Sequence, residues 1–260
     1  MSNEFIKFSV EGSVGKIILN RPDKFNSFNR EMALQMQSAL DKCAADKNIR
    51  AVYITGEGKA FCAGQDLGEA IDANGPGIKK IVEEHYNPIV MKIRVIEKPV
   101  VCAVNGVAAG AGTNIALCCD VVMAGASASF IQAFSKIGLI PDSGGTFFLP
   151  RLIGFGKASA LMMLGDKVSA AEAERMGMIY KVFDDAKLQD EAFSVAKTLS
   201  EMPTQAIGFT KRLLNQSVSN NLVQQLNAEG EAQDNAAALN DFKEGVNAFL
   251  EKRKPIFKGA

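Results

Sequence analysis

VVCAVNGVAAGAG, residues 100–112, is the stretch on which the fold turns. Val100 to Val104 form a strand pattern that runs directly into a loop of Asn, Gly and Ala, Asn105 to Gly112, and then into helical sequence. The same order occurs upstream, where a strand over Ala51–Thr55 leads into GEGKAFCAGQDL and then a helix near Ile78–Arg94. Downstream, a third helix is followed by a strand over Val121–Ala124. Strand, glycine loop and helix recurring in this way predict an α/β fold of stacked, repeating turns of structure.

Toward the N-terminus, Phe5–Val10 and Gly15–Leu19 predict a strand pair joined by a Glu-Gly-Ser turn. A helix follows from about Arg30, with Met32, Met36, Ala39, Leu40 and Cys43 on one apolar face. From Ser169 the chain changes character. SAAEAERMG, Lys187–Ser200, Thr204–Leu214, Leu222–Ala237 and Asn240–Lys252 are helical in pattern, with only a short strand over Ile179–Phe183 and with Pro203 and Pro255 as punctuation. The expected division is a core over residues 1–199 and a helical C-terminal part over residues 200–260.

At 260 residues and 47% hydrophobic content the chain can bury a sizeable core. Lys plus Arg and Asp plus Glu both number 29, so no basic face for nucleic acid is announced. The start MSNEFIKFSVEGSVGKIILN lacks the basic and apolar regions of a secretory leader, and no apolar run of about 18 residues occurs, so a soluble cytoplasmic protein without a membrane partner is expected. The five cysteines, an odd number without a C-x-x-C pair, read as small buried hydrophobes. The one histidine, His85, stands in a polar helix and is expected at the surface. Zinc sites, Ser-His-Asp triads and Cys-His pairs elsewhere lose their usual ligand or base, so no metal is expected.

AFCAGQDL, residues 60–67, and NGVAAGAG, residues 105–112, carry the chemistry. Small residues let a backbone approach a ligand and leave N–H groups free to donate, although close helix–strand packing also wants Gly and Ala. Gly110 and Gly112 begin a G-x-G, but Ile115 occupies the third position and no acidic residue follows at the spacing that holds a ribose. A nicotinamide site is therefore rejected. Two backbone donors from two loops suit an oxygen that becomes negative during reaction, an oxyanion hole. GLIPDSGGTFFLPRLIG, residues 138–154, adds a single carboxylate, Asp142, for which a surface turn or a helix cap is the plainer alternative.

AFCAGQDL, AVNGVAAGAG, the CCDVVMA strand and GLIPDSGGTFFLPRLIG, in this order and with NRPDKFNSF at residues 20–28, resemble the crotonase (enoyl-CoA hydratase/isomerase) family over essentially the whole chain. The resemblance implies a spiral of stacked ββα turns, with a helical C-terminal region that completes homotrimers or dimers of trimers. It implies an acyl-CoA substrate, with coenzyme A as part of that substrate and no separate cofactor. The two hole donors carry over to the N–H groups of Gln65 and Ala111, the latter preceded by Gly110. Coenzyme A would lie along Lys24, Phe25 and Asn26, with Ala63, Asp66 and Leu67 near the adenine and Lys258 near a phosphate.

The departures narrow the activity. Family hydratases handle water with two glutamates, and those places hold Asn114 and Phe134 here, neither able to act as acid or base near neutral pH. Asp142 stands where family isomerases keep the acid that moves protons on the acyl chain. NGVAAGAG, AFSKIGLIPD and the YNP of Tyr86, Asn87 and Pro88 are most similar to the branch that converts ring-1,2-epoxyphenylacetyl-CoA to an oxepin in phenylacetate degradation. Δ3,Δ2-Enoyl-CoA isomerisation or hydration, a non-catalytic acyl-CoA scaffold and a complex with a hydratase paralogue stay open. Phe130, Phe134, Phe147 and Phe148 are read as an aromatic wall or as plain core.

Overall fold

The computed structural model describes residues 4–260. A first hairpin, β1 (Ile6–Glu11) and β2 (Val14–Leu19), is followed by α1 (Arg30–Ala45), whose N-terminus is capped by Asn29 accepting from the Met32 N–H at 3.0 Å. Three strand pairs come next: β3 (Ala51–Gly56) with β4 (Ala60–Cys62), β5 (Val100–Val104) with β6 (Val107–Ala109), and β7 (Val121–Gly125) with β8 (Ser129–Ile131). The longer member of each pair joins a six-stranded sheet in the order β1-β2-β3-β5-β7-β10, and the shorter joins a four-stranded sheet, β4-β6-β8-β9. Helices fill the intervals: α2 (Leu67–Ile71), α3 (Gly77–Lys80) and α4 (Asn87–Val95) after β4, α5 (Ala111–Leu117) after β6, and α6 (Gly145–Ile153) and α7 (Phe155–Leu164) after β8. β9 (Lys167–Ser169), α8 (Ala170–Arg175), β10 (Lys181–Phe183), α9 (Asp185–Glu201), α10 (Thr204–Gln216), α11 (Leu222–Ala237) and α12 (Asn240–Leu250) complete the chain. This is the expected spiral of ββα turns, with helices at the C-terminus. The short strands β4, β6, β8 and β9, three residues each, fall below what periodicity can resolve.

Successive turns stack because their corners touch. A Cβ on Gly56 would lie 2.5 Å from the Ala60 carbonyl oxygen, and one on Gly106 would lie 2.1 Å from that of Lys59, so neither position admits a side chain. Asn105 ties two corners together, accepting from the Gly56 N–H and donating to the Gly58 carbonyl. Strand alternation then builds two cores: Val52 and Ile54 pack toward α1 and α4, while Ala51 and Tyr53 face α9, where Leu188, Ala192 and Ala196 close the opposite side of the six-stranded sheet. All five cysteines are buried and unpaired, as expected.

The helix expected over Ile78–Arg94 contains a wide turn, Ile81–Tyr86, in which the Asn87 N–H reaches back five residues to the Val82 carbonyl. Pro88 has no N–H for the Glu84 carbonyl one turn earlier, and the Gln37 side-chain amide donates to that oxygen instead, at 2.8 Å. The extra residue in this turn corrects the expectation for His85. Its side chain is wholly buried, with Nε2 3.3 Å from Arg30 Nη1. A guanidinium can only donate, so Nε2 accepts; Nδ1 has no partner among the described residues. Burial holds its pKa below the usual histidine range, against the pull of Glu69 and, more weakly, Glu84.

Beyond Pro203, α10 is fastened to the core by Lys211. Its buried ammonium donates to the Ile93 and Lys98 carbonyls and pairs with Asp120 at 2.7 Å. Helices α11 and α12 leave Leu222, Val223, Phe249 and Leu250 exposed. Among the described residues no helix is long and apolar enough to cross a membrane, and no cluster of three or more His, Cys, Asp or Glu side chains is placed to hold a metal ion.

Candidate active site

Two loops that sequence alone could not connect are paired along their backbones. The Phe28 N–H donates to the Gly64 carbonyl at 2.7 Å, the Asp66 N–H to the Phe28 carbonyl at 2.8 Å, and the Ala63 N–H to the Phe25 carbonyl at 2.9 Å. Because a trans peptide points its N–H away from its C=O, fixing the Gly64 oxygen on Phe28 turns the Gln65 N–H to the other side. The second loop meets the first at Gly64, where a Cβ would lie 2.9 Å from the Ala109 oxygen and 3.5 Å from the Ala111 nitrogen. Gly64 and Gly110 both have positive φ, +92° and +53°, and each directly precedes a hole residue. Neither the Gln65 nor the Ala111 N–H finds a protein acceptor among the described residues.

Both residues line a cavity of about 330 Å³ together with Asp142. The same cavity is lined by Lys24, Ala63, Asp66, Leu67, Gly110 and Phe134, all expected at the site, and by an aliphatic wall of Ala70, Ile78, Ile81 and Val82. A larger apolar cavity lies among α10, α11 and α12, away from the glycine loops.

Asp142 sits in a turn where Ser143 and Gly144 both take left-handed backbone, φ +50° and +75°, an uncommon conformation for the serine. The Ser143 hydroxyl donates to Asp142 Oδ1 at 2.9 Å. The carboxylate does not cap α6; the cap residue is Gly144, and it is the Asp142 backbone carbonyl that accepts from the Gly145 N–H. Burial raises the Asp142 pKa above the ordinary carboxylate range, opposed only by the Ser143 hydroxyl and its own backbone N–H, with no cation contributing. Asp66 behaves oppositely. Burial alone would raise its pKa, but the Arg21 guanidinium at 3.0 Å and the Gly68 and Glu69 N–H groups outweigh this and lower it. It is held as an ion pair and a cap for α2, unsuited to carrying a proton.

Several expected residues take other places. Asn26 is wholly buried, donating to the Glu57 and Ala60 carbonyls and accepting from the Arg21 N–H; it braces a corner of the spiral and does not line the cavity. Phe25 is exposed and does not line the cavity either. Asn114 is wholly buried behind the acid, its Nδ2 donating to the Asp142 carbonyl at 2.9 Å and its Oδ1 accepting from Gln132 at 2.7 Å. Within the single chain Lys258 is held at the C-terminus, its N–H on Asp241, and is not among the cavity's lining residues. Of the four phenylalanines only Phe134 reaches the cavity; Phe130 is core, and Phe147 and Phe148 pack edge to face at 5.1 Å.

Tyr86 also lines the cavity, and sequence reasoning gave it no role beyond its place in the YNP segment. It is wholly buried, and its hydroxyl donates to Gln65 Oε1 at 2.9 Å. The sequence signals were the YNP segment itself and its Pro88, which cannot continue the hydrogen bonding of the turn that ends at Tyr86.

The profile of the enoyl-CoA hydratase/isomerase family matches residues 9–260. The chain is 46% identical to the 1,2-epoxyphenylacetyl-CoA isomerase of Escherichia coli K12, covering 98% of this chain and 99% of that one. It is 40% identical to a probable enoyl-CoA hydratase of Rhodobacter capsulatus over the full length of both. A crystal structure of a putative enoyl-CoA hydratase/isomerase from Mycobacterium abscessus superposes with a TM-score of 0.94 at 39% identity, covering 98% of this chain and all of that one. With its ββα spiral and its two facing glycine loops, the chain belongs to the enoyl-CoA hydratase/isomerase, or crotonase, family of enzymes.

Proposed function

We propose that the protein is an acyl-CoA isomerase working through a thioester enolate, with ring-1,2-epoxyphenylacetyl-CoA as substrate and oxepin-CoA as product. One observation carries this: a single unpaired carboxylate, Asp142, shares a cavity with two free backbone N–H groups, and the hydratase glutamate positions are Asn114 and Phe134. The N–H groups of Gln65 and Ala111 stabilise the enolate oxygen and so acidify the carbon next to the thioester. Asp142 removes a proton there and returns it to a ring carbon, while the epoxide-bearing ring reorganises to the oxepin. Composition is unchanged, so the chemistry calls for no redox cofactor, and coenzyme A arrives with the substrate. The 46% identity to a relative named for this reaction supports the choice of substrate.

The aliphatic wall of Ile78, Ile81 and Val82 favours a second substrate, a 3-enoyl-CoA whose double bond the same Asp142 would shift to the 2-position. Mass spectrometry after separate incubation with the two thioesters decides between them. Hydration of crotonyl-CoA is expected to be very slow; turnover in the ordinary enzyme range of about 1 to 10³ per second would refute the reading. Turnover of no acyl-CoA would leave a binding scaffold as the function. The proposal includes a cytoplasmic protein, with residues 1–199 as catalytic core and residues 200–260 as an assembly region. The exposed Leu222, Val223, Phe249 and Leu250 of α11 and α12 support a homotrimer or a dimer of trimers.

A further inference from the structure

The Gln65 side chain is held at both ends. Its Nε2 donates to Glu69 Oε2 at 2.9 Å, and Glu69 Oε1 in turn accepts from the Arg30 N–H at the start of α1. A carboxylate only accepts, so the amide must turn its nitrogen to Glu69 and its oxygen to Tyr86, whose hydroxyl is thereby the donor. Burial raises the tyrosine pKa well above its ordinary value, so that proton stays in place. The Tyr86 ring also packs edge-on against Phe28 at 5.9 Å, and Phe28 is the residue whose N–H and C=O grip the loop on both sides of Gln65. Gly64, at φ +92°, leaves the peptide ahead of Gln65 free of any side chain of its own to resist rotation. Phe28, Glu69 and Tyr86 thus hold this peptide and its side chain, with a longer bond from Gln65 Nε2 to the Asp66 carbonyl at 3.3 Å.

We propose that Tyr86 is a positioning residue: through the Gln65 side-chain amide it holds the Gln65 N–H on the enolate oxygen. This rests on the acyl-CoA reading given above. Tyr86 ends the wide turn Ile81–Tyr86, two residues before Pro88, and it is from this turn that the hydroxyl reaches Gln65.

The test is a double-mutant cycle on turnover of whichever thioester the protein isomerises. Tyr86→Phe and Gln65→Leu should each lower kcat about tenfold, the scale of one ordinary hydrogen bond, with KM within about twofold of wild type. Because both break one chain, the double variant should fall no further than the worse single. Wild-type kcat in Tyr86→Phe, or losses that multiply, would overturn the proposal; the latter would put the hydroxyl on the substrate itself. A second readout needs no turnover: a saturated acyl-CoA carrying ¹³C at the thioester carbonyl should show a smaller shift of its infrared carbonyl band on binding Tyr86→Phe or Gln65→Leu than on binding wild type. An equal shift in all three overturns the positioning role alone. Wild-type protein that binds the thioester without shifting the band, or fails to bind it, overturns the hole itself. Should Tyr86→Phe fail to fold, Gln65→Leu carries both measurements, since it leaves the tyrosine ring on Phe28 in place.

Discussion

The two walls of the cavity are made from different parts of the polypeptide. On one side, Gln65 and Ala111 contribute backbone N–H groups, which no side-chain replacement other than proline can remove. On the other, everything rests on the side chain of Asp142, supported from behind by Asn114 and from beside by Ser143. The donor wall is secured by main-chain pairing to Phe28, and side chains act on it only indirectly, by holding that backbone in place. The acid wall depends on one carboxylate, buried and without a cation beside it.

The largest effect should come from the acid wall. Asp142→Asn is expected to lower turnover by at least about 10² to 10⁴-fold while acyl-CoA still binds; near-wild-type turnover would mean the carboxylate is only a turn residue. On the donor wall, Ala111→Pro, in a variant shown by circular dichroism to fold, should cost about 10² to 10³-fold. Unchanged turnover there would show that the hole lies elsewhere.

A smaller effect concerns the support of the acid. Asn114→Ala leaves the Gln132 amide without its buried acceptor and the Asp142 carbonyl with the Gly145 N–H alone, at a cost of about 1 to 3 kcal/mol of stability by denaturant unfolding. A loss below 0.5 kcal/mol, on the order of a surface substitution, would mean that the turn is held without it. Asn114→Glu should destabilise more than Asn114→Ala in the same unfolding measurement, because a carboxylate would face the same carbonyl oxygen. Restoring a hydratase glutamate at this position therefore works against Asp142.

The pH dependence sharpens the contrast further. Asp142 must be ionised to take the first proton, so kcat/KM should fall as pH drops through a pKa above the ordinary carboxylate range. A midpoint at or below that range would contradict the desolvated site. The same raised pKa acts on stability with the opposite sense. A group whose folded pKa lies above its unfolded value stabilises the fold below the unfolded pKa, and this is lost as pH rises through the folded one. At neutral pH the ionised carboxylate is a burden, so Asp142→Asn should melt at or above the wild-type temperature, with the difference shrinking in acid. A lower melting temperature at neutral pH would show that the carboxylate is a structural partner.

Different parts of this arrangement were legible to different degrees. The stacked turns and the donor wall could be read because glycine is demanded by backbone geometry, and geometry leaves its mark on residue type: Gly56, Gly64 and Gly106 have no room for a Cβ. Asp142 could be read as the one acid in an apolar stretch, and its raised pKa followed from those neighbours. Asn26 and Asn114 were misplaced because a buried amide bracing a carbonyl and an amide facing a ligand look alike in sequence. The burial of His85 and the role of Tyr86 were not legible because a histidine and a tyrosine in a polar stretch read the same whether they face solvent or pack inward, and residue type does not announce the wide turn that contains them.

Cys62 has a consequence for the proposed chemistry. It is fully buried between the two glycine loops, with the Gly64 N–H on its sulfur and Gly112 so close that a Cβ there would lie 2.8 Å from Sγ. Burial pushes its pKa up to about 12. An arene epoxide is an alkylating agent, and thiolates are the protein nucleophiles that it consumes fastest; a thiol that stays protonated and out of reach is no target. On the proposed chemistry, the tight packing around Cys62 would double as protection of the catalyst against an electrophilic substrate.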